Sequence, residues 1–400
     1  MPATMFSASL RRFLAAYYGY VFLFDFILSY AIYTALFQLE GLNLAEIGIL
    51  IGFWSASAVV LELPTGALAD RLDRRWLLVV APLVKALCFV CWALAAGNFW
   101  LYGLGFLFWS MGQALQSGTS EATLYERLRV DGFAETFDKV LGRAWAAESL
   151  GVAGGLLFGG FVASLSMELA VWLSIPPLGL AALLALALRD TRRTHSTERS
   201  PDEPGYFDNF RIALREFRNV PELRFVTMYV AVGLIVFEML EEFDQIYYLA
   251  VALPVWLFGI VGAVGLAADA LGSIYAHRLA HIRALAWILP LTGGLLLIAS
   301  SFANAPAFVI VLELAYIVVV PAAVLSEARF QQLMEGRSRA TTTSALVVVQ
   351  NISGVFVTLV FGALAELVGI LPAYGWAGVA MLPVAAWMYR RQRHGASAIA

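Results

Sequence analysis

Acidic side chains recur inside the most apolar stretches of this sequence, and their spacing offers chemistry. Glu238, Glu241, Glu242 and Gln245 stand at i, i+3, i+4 and i+7, which lines one face of a helix. Asp244 lies beside them, toward the outer end of its stretch, where solvation by water is an alternative role. Carboxylates crowded together repel one another when all are charged, so such a face is suited to reversible proton uptake. Asp25, followed by Ser29 and Tyr33 at i+4 and i+8, makes a second polar stripe, read either as part of a cavity or as a buried structural hydrogen bond. Lys85 is a base inside an apolar run, roughly 15 Å past Arg75 along a helix. A lysine at that depth needs a carboxylate partner or must lose its proton. Asp25 is the candidate partner, and Asp269 falls at a similar depth. Glu62, Glu121 and Glu148 lie nearer the arginine-bearing ends of their stretches and read as gate or structural carboxylates.

Other reactive residue types lead to less. The two cysteines, Cys88 and Cys91, have Cys-x-x-Cys spacing in an apolar run and read as small hydrophobes. His277 and His281 are four residues apart with no third ligand in the sequence pattern, so neither a metal nor any other cofactor is expected. No phosphate-binding Gly-x-x-x-x-Gly-Lys-Ser/Thr loop, no Gly-x-Ser-x-Gly and no His-Glu-x-x-His occurs. ATP is therefore not the direct energy source, and an enzyme is not expected.

The elements that must hold these residues are set by composition. Of 400 residues, 61% are hydrophobic and 14% charged, against roughly 25% charged in soluble chains. Polar surface is too scarce for water alone, so the lipid bilayer is part of the solvent. A span takes about 20 apolar residues. Twelve such stretches begin near Phe13, Glu46, Trp76, Phe99, Val140 and Leu169, then near Phe225, Pro254, Ala284, Pro306, Thr341 and Pro372. The first runs to about Phe37, longer than the apolar core of a cleaved leader. Numbering them puts every Lys and Arg but Lys85, of 26, on one side or at its helix ends. The positive-inside rule makes that side the cytoplasm, with both termini in it, as expected of an inner (plasma) membrane protein. Aromatic residues such as Trp100, Tyr102 and Trp376 are expected at membrane interfaces, and Tyr17, Tyr18, Tyr20, Trp54 and Trp109 are candidates for lining a cavity. One long polar stretch, from Arg189 to about Arg224, divides the chain, with an amphipathic helix expected over Phe207 to Phe217. The expected organisation is a six-helix bundle over 1–190, a cytoplasmic linker over 191–222 and a second six-helix bundle over 223–400.

Between the second and third stretches runs Gly66-Ala-Leu-Ala-Asp70-Arg71-Leu-Asp73-Arg74-Arg75. It resembles the Gly-x-x-x-Asp-Arg-x-Gly-Arg-Arg/Lys loop of the major facilitator superfamily, with Asp73 where the family usually has glycine. The second-half counterpart, Gly272-Ser-Ile-Tyr-Ala-His277-Arg278, is degenerate. Glu62 and Asp269 each stand eight residues before the matching position, a faint trace of internal repetition. The resemblance implies an all-α membrane fold of twelve helices in two six-helix bundles, each of inverted three-helix repeats about a central cavity. It also implies a cytoplasmic gate built on Gly66, Asp70, Arg71, Arg74 and Arg75, and a drug/proton-antiporter-like transporter. Two departures bear on direction. The fourth stretch lacks the arginine of many proton-coupled members and offers Gln113, Gln116 and Glu121. The fifth has Gly151, Gly154, Gly155, Gly159 and Gly160 but no Gly-Pro pair.

The expected function is alternating-access secondary transport of a small organic molecule, coupled to protons and directed outward. The proton and substrate residues would be Asp25, Lys85, Glu238, Glu241 and Asp269. An importer or passive facilitator on the same fold is the alternative. A monomer is expected, with no nucleic-acid partner.

Overall fold

The computed structural model describes residues 7–188, 220–333 and 339–393, and side chains within these ranges except at 62–71 and 339–347. The linker over 191–222, apart from its last residues, and the amphipathic helix expected over Phe207 to Phe217 lie outside the described residues. The protein is all-α, with no strand among the described residues. Each of the twelve expected stretches falls on helix. Among the described residues nine helices are long and apolar enough to cross a membrane. The other three stretches depart from an ideal span for visible reasons. The ninth is a helix of 16 residues, Leu285–Ser300, or about 24 Å at 1.5 Å per residue. The fourth, Phe99–Gln116, carries Ser110, Gln113 and Gln116 among its aromatics and ends before Gly118. Gly118 takes φ +65°, a left-handed turn that glycine adopts without strain, and a separate helix Thr119–Val130 follows. Glu121 is on that second helix rather than on a continuous fourth span.

The first stretch is interrupted. Helix Ala8–Phe24 stops at Asp25, a 3-10 turn covers Leu28–Ala31, and helix Tyr33–Leu39 resumes. The seventh is irregular twice. Helix Pro221–Tyr229 passes into a π-helical turn at Val230–Leu234, then helix Ile235–Leu240, a 3-10 turn at Glu241–Phe243 and helix Asp244–Ala250. Irregular backbone at membrane depth persists only where protein or a water-filled cavity satisfies its polar groups. Both interruptions fall beside the acids singled out by sequence.

By contact the chain forms two compact units. One comprises Met1–Leu42, Phe53–Ser196 and Pro254–Ala263; the other comprises Asn43–Gly52, Thr197–Leu253 and Val264–Ala400. In the first unit an aromatic core surrounds Trp92, with the rings of Phe37 and Phe106 each 5.0 Å and that of Trp109 5.6 Å from it. Tyr102, expected at a membrane interface, is fully buried in this core and donates a hydrogen bond to Glu40. Trp100 and Trp376 remain exposed. The fifth helix, Phe137–Ala163, presents a glycine seam to the interrupted first stretch. A Cβ at Gly151 would strike the Phe22 carbonyl, one at Gly155 the Ile27 backbone, and one at Gly159 the Leu28 carbonyl. The seam lets one backbone lie directly on another, the packing that replaces hydrophobic exclusion between helices in lipid. In the second unit Gly48 and Gly362 allow the same approach, each packed against the other's backbone.

Candidate functional site

In the first unit the break in the first stretch creates a cation site. Phe24 ends its helix with a carbonyl that has no partner further along, and a helix C-terminus carries partial negative charge. Lys85, from helix Arg74–Ala93, fills it. Its Nζ donates to Asp25 Oδ1 at 2.7 Å, to the Phe24 carbonyl at 3.1 Å and to the Tyr30 hydroxyl at 3.1 Å. Gln113 Oε1 stands 3.5 Å away. The Tyr30 hydroxyl donates to Asp25 Oδ1 at 2.8 Å. The ammonium also lies 4.2 Å from the Phe24 ring centre and 5.6 Å from that of Trp109. Lys85 is fully buried and Asp25 nearly so. The structure thus brings Asp25 and Lys85 into direct contact.

The stripe expected from Asp25, Ser29 and Tyr33 does not form. The 3-10 turn rotates the residues after Asp25 away from α-helical phase. The Ser29 backbone N–H donates to Ser174 Oγ at 3.0 Å, and Tyr33 stacks on Trp92 with ring centres 5.5 Å apart. Tyr30 takes the place that the i+4 rule gave to Ser29.

Glu121 and Glu148 line one pocket of 210 Å³ together with Tyr17, Gln113, Gln116 and Ser120. Gln113 therefore touches both this pocket and the Lys85 network. The loop between the second and third helices is a tight turn at Leu72 and Asp73. The second helix, Leu44–Arg71, runs through Glu62, Gly66, Asp70 and Arg71, whose side chains lie outside the described set. Asp73 adopts φ −65°, so the position needs no glycine, and its Oδ1 accepts from the Arg75 backbone N–H at 2.9 Å. The residue that departs from the motif is the N-cap of the third helix. Arg74 reaches the Ala122 carbonyl at 3.3 Å, and Arg75 lies over the Trp76 ring at 5.5 Å.

In the second unit a cavity of 520 Å³ is lined by Glu238, Glu241, Asp269, Glu327, Gln350 and Tyr316 among apolar side chains. Among its described lining residues there is no Lys, Arg or His. The acidic face expected at 238, 241, 242 and 245 is only half realised. Glu238 and Glu241 are exposed to this cavity, whereas Glu242 and Gln245 are not among its lining residues. The 3-10 turn at Glu241–Phe243, with three residues per turn, breaks the α-helical register. Its second effect is on Asp244. Read from sequence as near the outer surface and open to solvation, Asp244 is buried, and its Oδ1 accepts from Tyr316 at 2.6 Å and Tyr374 at 2.8 Å. Close by, Tyr248 donates to Glu313, whose other oxygen lies against Gly265, one turn from Asp269.

Tyr30, Tyr316, Tyr374 and Glu313 escaped the sequence reading. Glu313 had a signal, a lone acid in the apolar run Val309 to Val320 with Tyr316 at i+3. The tyrosines had none, because their partners depend on two helix breaks. Cys88 and Cys91 are free thiols within helix Arg74–Ala93, and His277 Nδ1 lies 2.8 Å from the Ile274 carbonyl oxygen.

Comparison with known proteins places the chain in a family and its fold among solved structures. The sequence matches the family described as Major Facilitator Superfamily over residues 14–358. A mutant of the nucleoside transporter NupG superposes with a TM-score of 0.76 at 15% identity, over 96% of this chain and 99% of that one. A bacterial homolog to the human lysosomal transporter Spinster, inward-facing and unoccupied, gives 0.75 at 16% identity, over 97% and 98%. A POT family transporter in complex with a thioalcohol conjugated peptide gives 0.68 at 12%, over 96% of each. At these identities the likeness is one of fold. No curated protein sequence matches.

Proposed function

The chain belongs to the Major Facilitator Superfamily, a family of transporters rather than enzymes, and on that premise we propose that this multi-pass membrane protein exports a small organic cation or neutral molecule in exchange for protons. The observation that carries the proposal is the unequal distribution of charge. Lys85, the one fully buried base among the described residues, is already matched by Asp25 at 2.7 Å. The 520 Å³ cavity of the second unit has four carboxylates, Glu238, Glu241, Asp269 and Glu327, and no base among its described lining residues. Such a cavity favours positive charge, whether on a proton or on a substrate. Its apolar walls, including Val230, Leu234, Phe237 and Val319, suit an organic body.

In this reading the halves over 1–190 and 223–400, joined by the linker over 191–222, alternate access to the site. The loop of Gly66, Asp70, Arg71, Arg74 and Arg75, with Glu62, Glu121 and Glu148, closes the cytoplasmic side. The protein lies in the inner membrane as a monomer with both termini inside. Import or passive exchange is the second reading, favoured by the absence of a Gly-Pro pair in the fifth helix, where glycines serve the seam against Phe22, Ile27 and Leu28.

Proton flux is the test. The protein is reconstituted in liposomes with a pH-sensitive dye inside and challenged with organic cations, neutrals and anions. A cation- or neutral-triggered pH change, reduced at least tenfold in Glu238→Gln and Glu241→Gln, is the expected result. Substrate equilibration with no pH change in any case would sink coupling and leave a facilitator.

A further inference from the structure

Asp25 and Asp244 occupy comparable positions, each beside an interruption in its span, yet their surroundings differ in one respect. Asp25 faces an ammonium at 2.7 Å and one tyrosine at 2.8 Å. Asp244 faces two tyrosines, and no ion pair reaches it among the described residues. The titratable groups around Asp244 are Glu241, Tyr247 and Tyr248 on its own span, Glu313 and Tyr316 on helix Phe308–Gln332, and Tyr374 on helix Ile370–Arg393. All are acids or phenols. A carboxylate opposite an ammonium is stable as an anion. A carboxylate surrounded by phenols and other carboxylates inside a membrane is costly as an anion and far less so as a neutral acid.

Tyr316 supplies access. It lines the 520 Å³ cavity beside Glu238 and Glu241, and its hydroxyl donates to Asp244 Oδ1. We infer that Asp244 is a proton-binding residue of the transport cycle, loaded from the cavity through the Tyr316 hydroxyl. The inference rests on the proton-coupled reading above and names where the proton goes. A hydronium in the cavity gives a proton to Tyr316 Oη as that hydroxyl passes its own proton to Asp244 Oδ1. Water is left in the cavity, the tyrosine ends neutral as it began, and Asp244 becomes a neutral acid. The two phenol bonds to Asp244 then lose their charge-assisted strength. Those bonds tie helices Phe308–Gln332 and Ile370–Arg393 to the seventh span, so protonation loosens three helices of the second unit together.

Infrared difference spectroscopy of the full-length protein in lipid, between alkaline and acidic buffer, reads protonation directly and needs no substrate. The wild-type protein gains carboxylic-acid carbonyl intensity on acidification. Asp244→Asn is expected to lose one component of that band, and Tyr316→Phe to keep it with a shifted frequency and a shifted pH midpoint. Asp25→Asn is expected to leave the component in place. Full retention of the band in Asp244→Asn, or its loss in Asp25→Asn, overturns the assignment. If Asp244→Asn does not fold, an unshifted band in Tyr316→Phe overturns it instead. A missing proton flux with the Asp244 band intact would remove coupling and leave Asp244 as a titrating residue, so the two failures are distinguishable.

Discussion

Lys85 is held by more groups than a side chain at membrane depth usually finds. Asp25, the Phe24 carbonyl and Tyr30 accept from or share protons with it, and the Phe24 and Trp109 rings lie near the ammonium. Removing one member of a buried ion pair strands the other, at about 3–5 kcal/mol, whereas removing both charges together is often neutral. Lys85→Met is therefore expected to lower the unfolding midpoint in detergent by many degrees, and Asp25→Asn by less, because Tyr30 still binds the neutral amide. The double variant Asp25→Asn/Lys85→Met should be more stable than Lys85→Met alone. A double variant no better than that single one would mean that packing, rather than charge balance, holds Lys85. The sequence made both charges legible, since depth can be counted along a helix from the arginines at its end. It did not reveal Tyr30 or Tyr316. Their contacts follow from where the backbone leaves α-helical phase, and hydrophobic periodicity carries no mark of a single 3-10 turn.

At the scale of elements, the breaks matter because something must satisfy and support them. The glycine seam of helix Phe137–Ala163 lies against residues Phe22 to Leu28, the end of the first helix and the break itself. In the sequence the ladder shows five glycines without a Gly-Pro pair, and periodicity alone cannot name the helix it faces. The structure gives it a partner whose shape tolerates no side chain. Gly159→Ala places a methyl group against the Leu28 carbonyl, and overpacking of this kind costs about 1–3 kcal/mol. Gly142, on the same helix, has open space where a methyl group would stand, with nothing within 4 Å, so Gly142→Ala should gain about 0.5–1 kcal/mol from helix propensity. The pair of variants is compared by thermal unfolding in detergent. Equal behaviour of the two would mean that the seam is loose and does not fix the broken segment. The element scale was only partly readable for the same reason as the residue scale. All twelve stretches are visible as apolar runs, yet the fourth reads from the sequence as continuing through Glu121, and the turn at Gly118 ends it at Gln116.

For the whole molecule, the family and the helical fold are settled by the match over residues 14–358 and by superposition on transporters along nearly the full chain. Orientation in the membrane is an expectation that rests on a separate physical argument, the side on which Lys and Arg collect. The helix ends separate the two sides sharply. Asn304, between Leu285–Ser300 and Phe308–Gln332, is in a turn free of Lys and Arg, and His281, between Val255–Leu279 and Leu285–Ser300, is exposed next to Arg278 and Arg283. These two turns bound one helix, so they must face opposite sides of the bilayer if that helix crosses it. With Cys88 and Cys91 replaced by alanine, single cysteines at Asn304 and His281 should react oppositely with an impermeant maleimide. Asn304→Cys should label fully in intact cells. His281→Cys should label only after the membrane is opened, with at least a tenfold difference in extent. The reverse pattern would place the arginine-rich side outside and invert the orientation of the transporter. Labelling of both from one side would mean that the 16-residue helix between them does not span, which shifts the parity of every helix that follows and undoes the one-sided placement of Lys and Arg from which a cytoplasmic C-terminus is inferred.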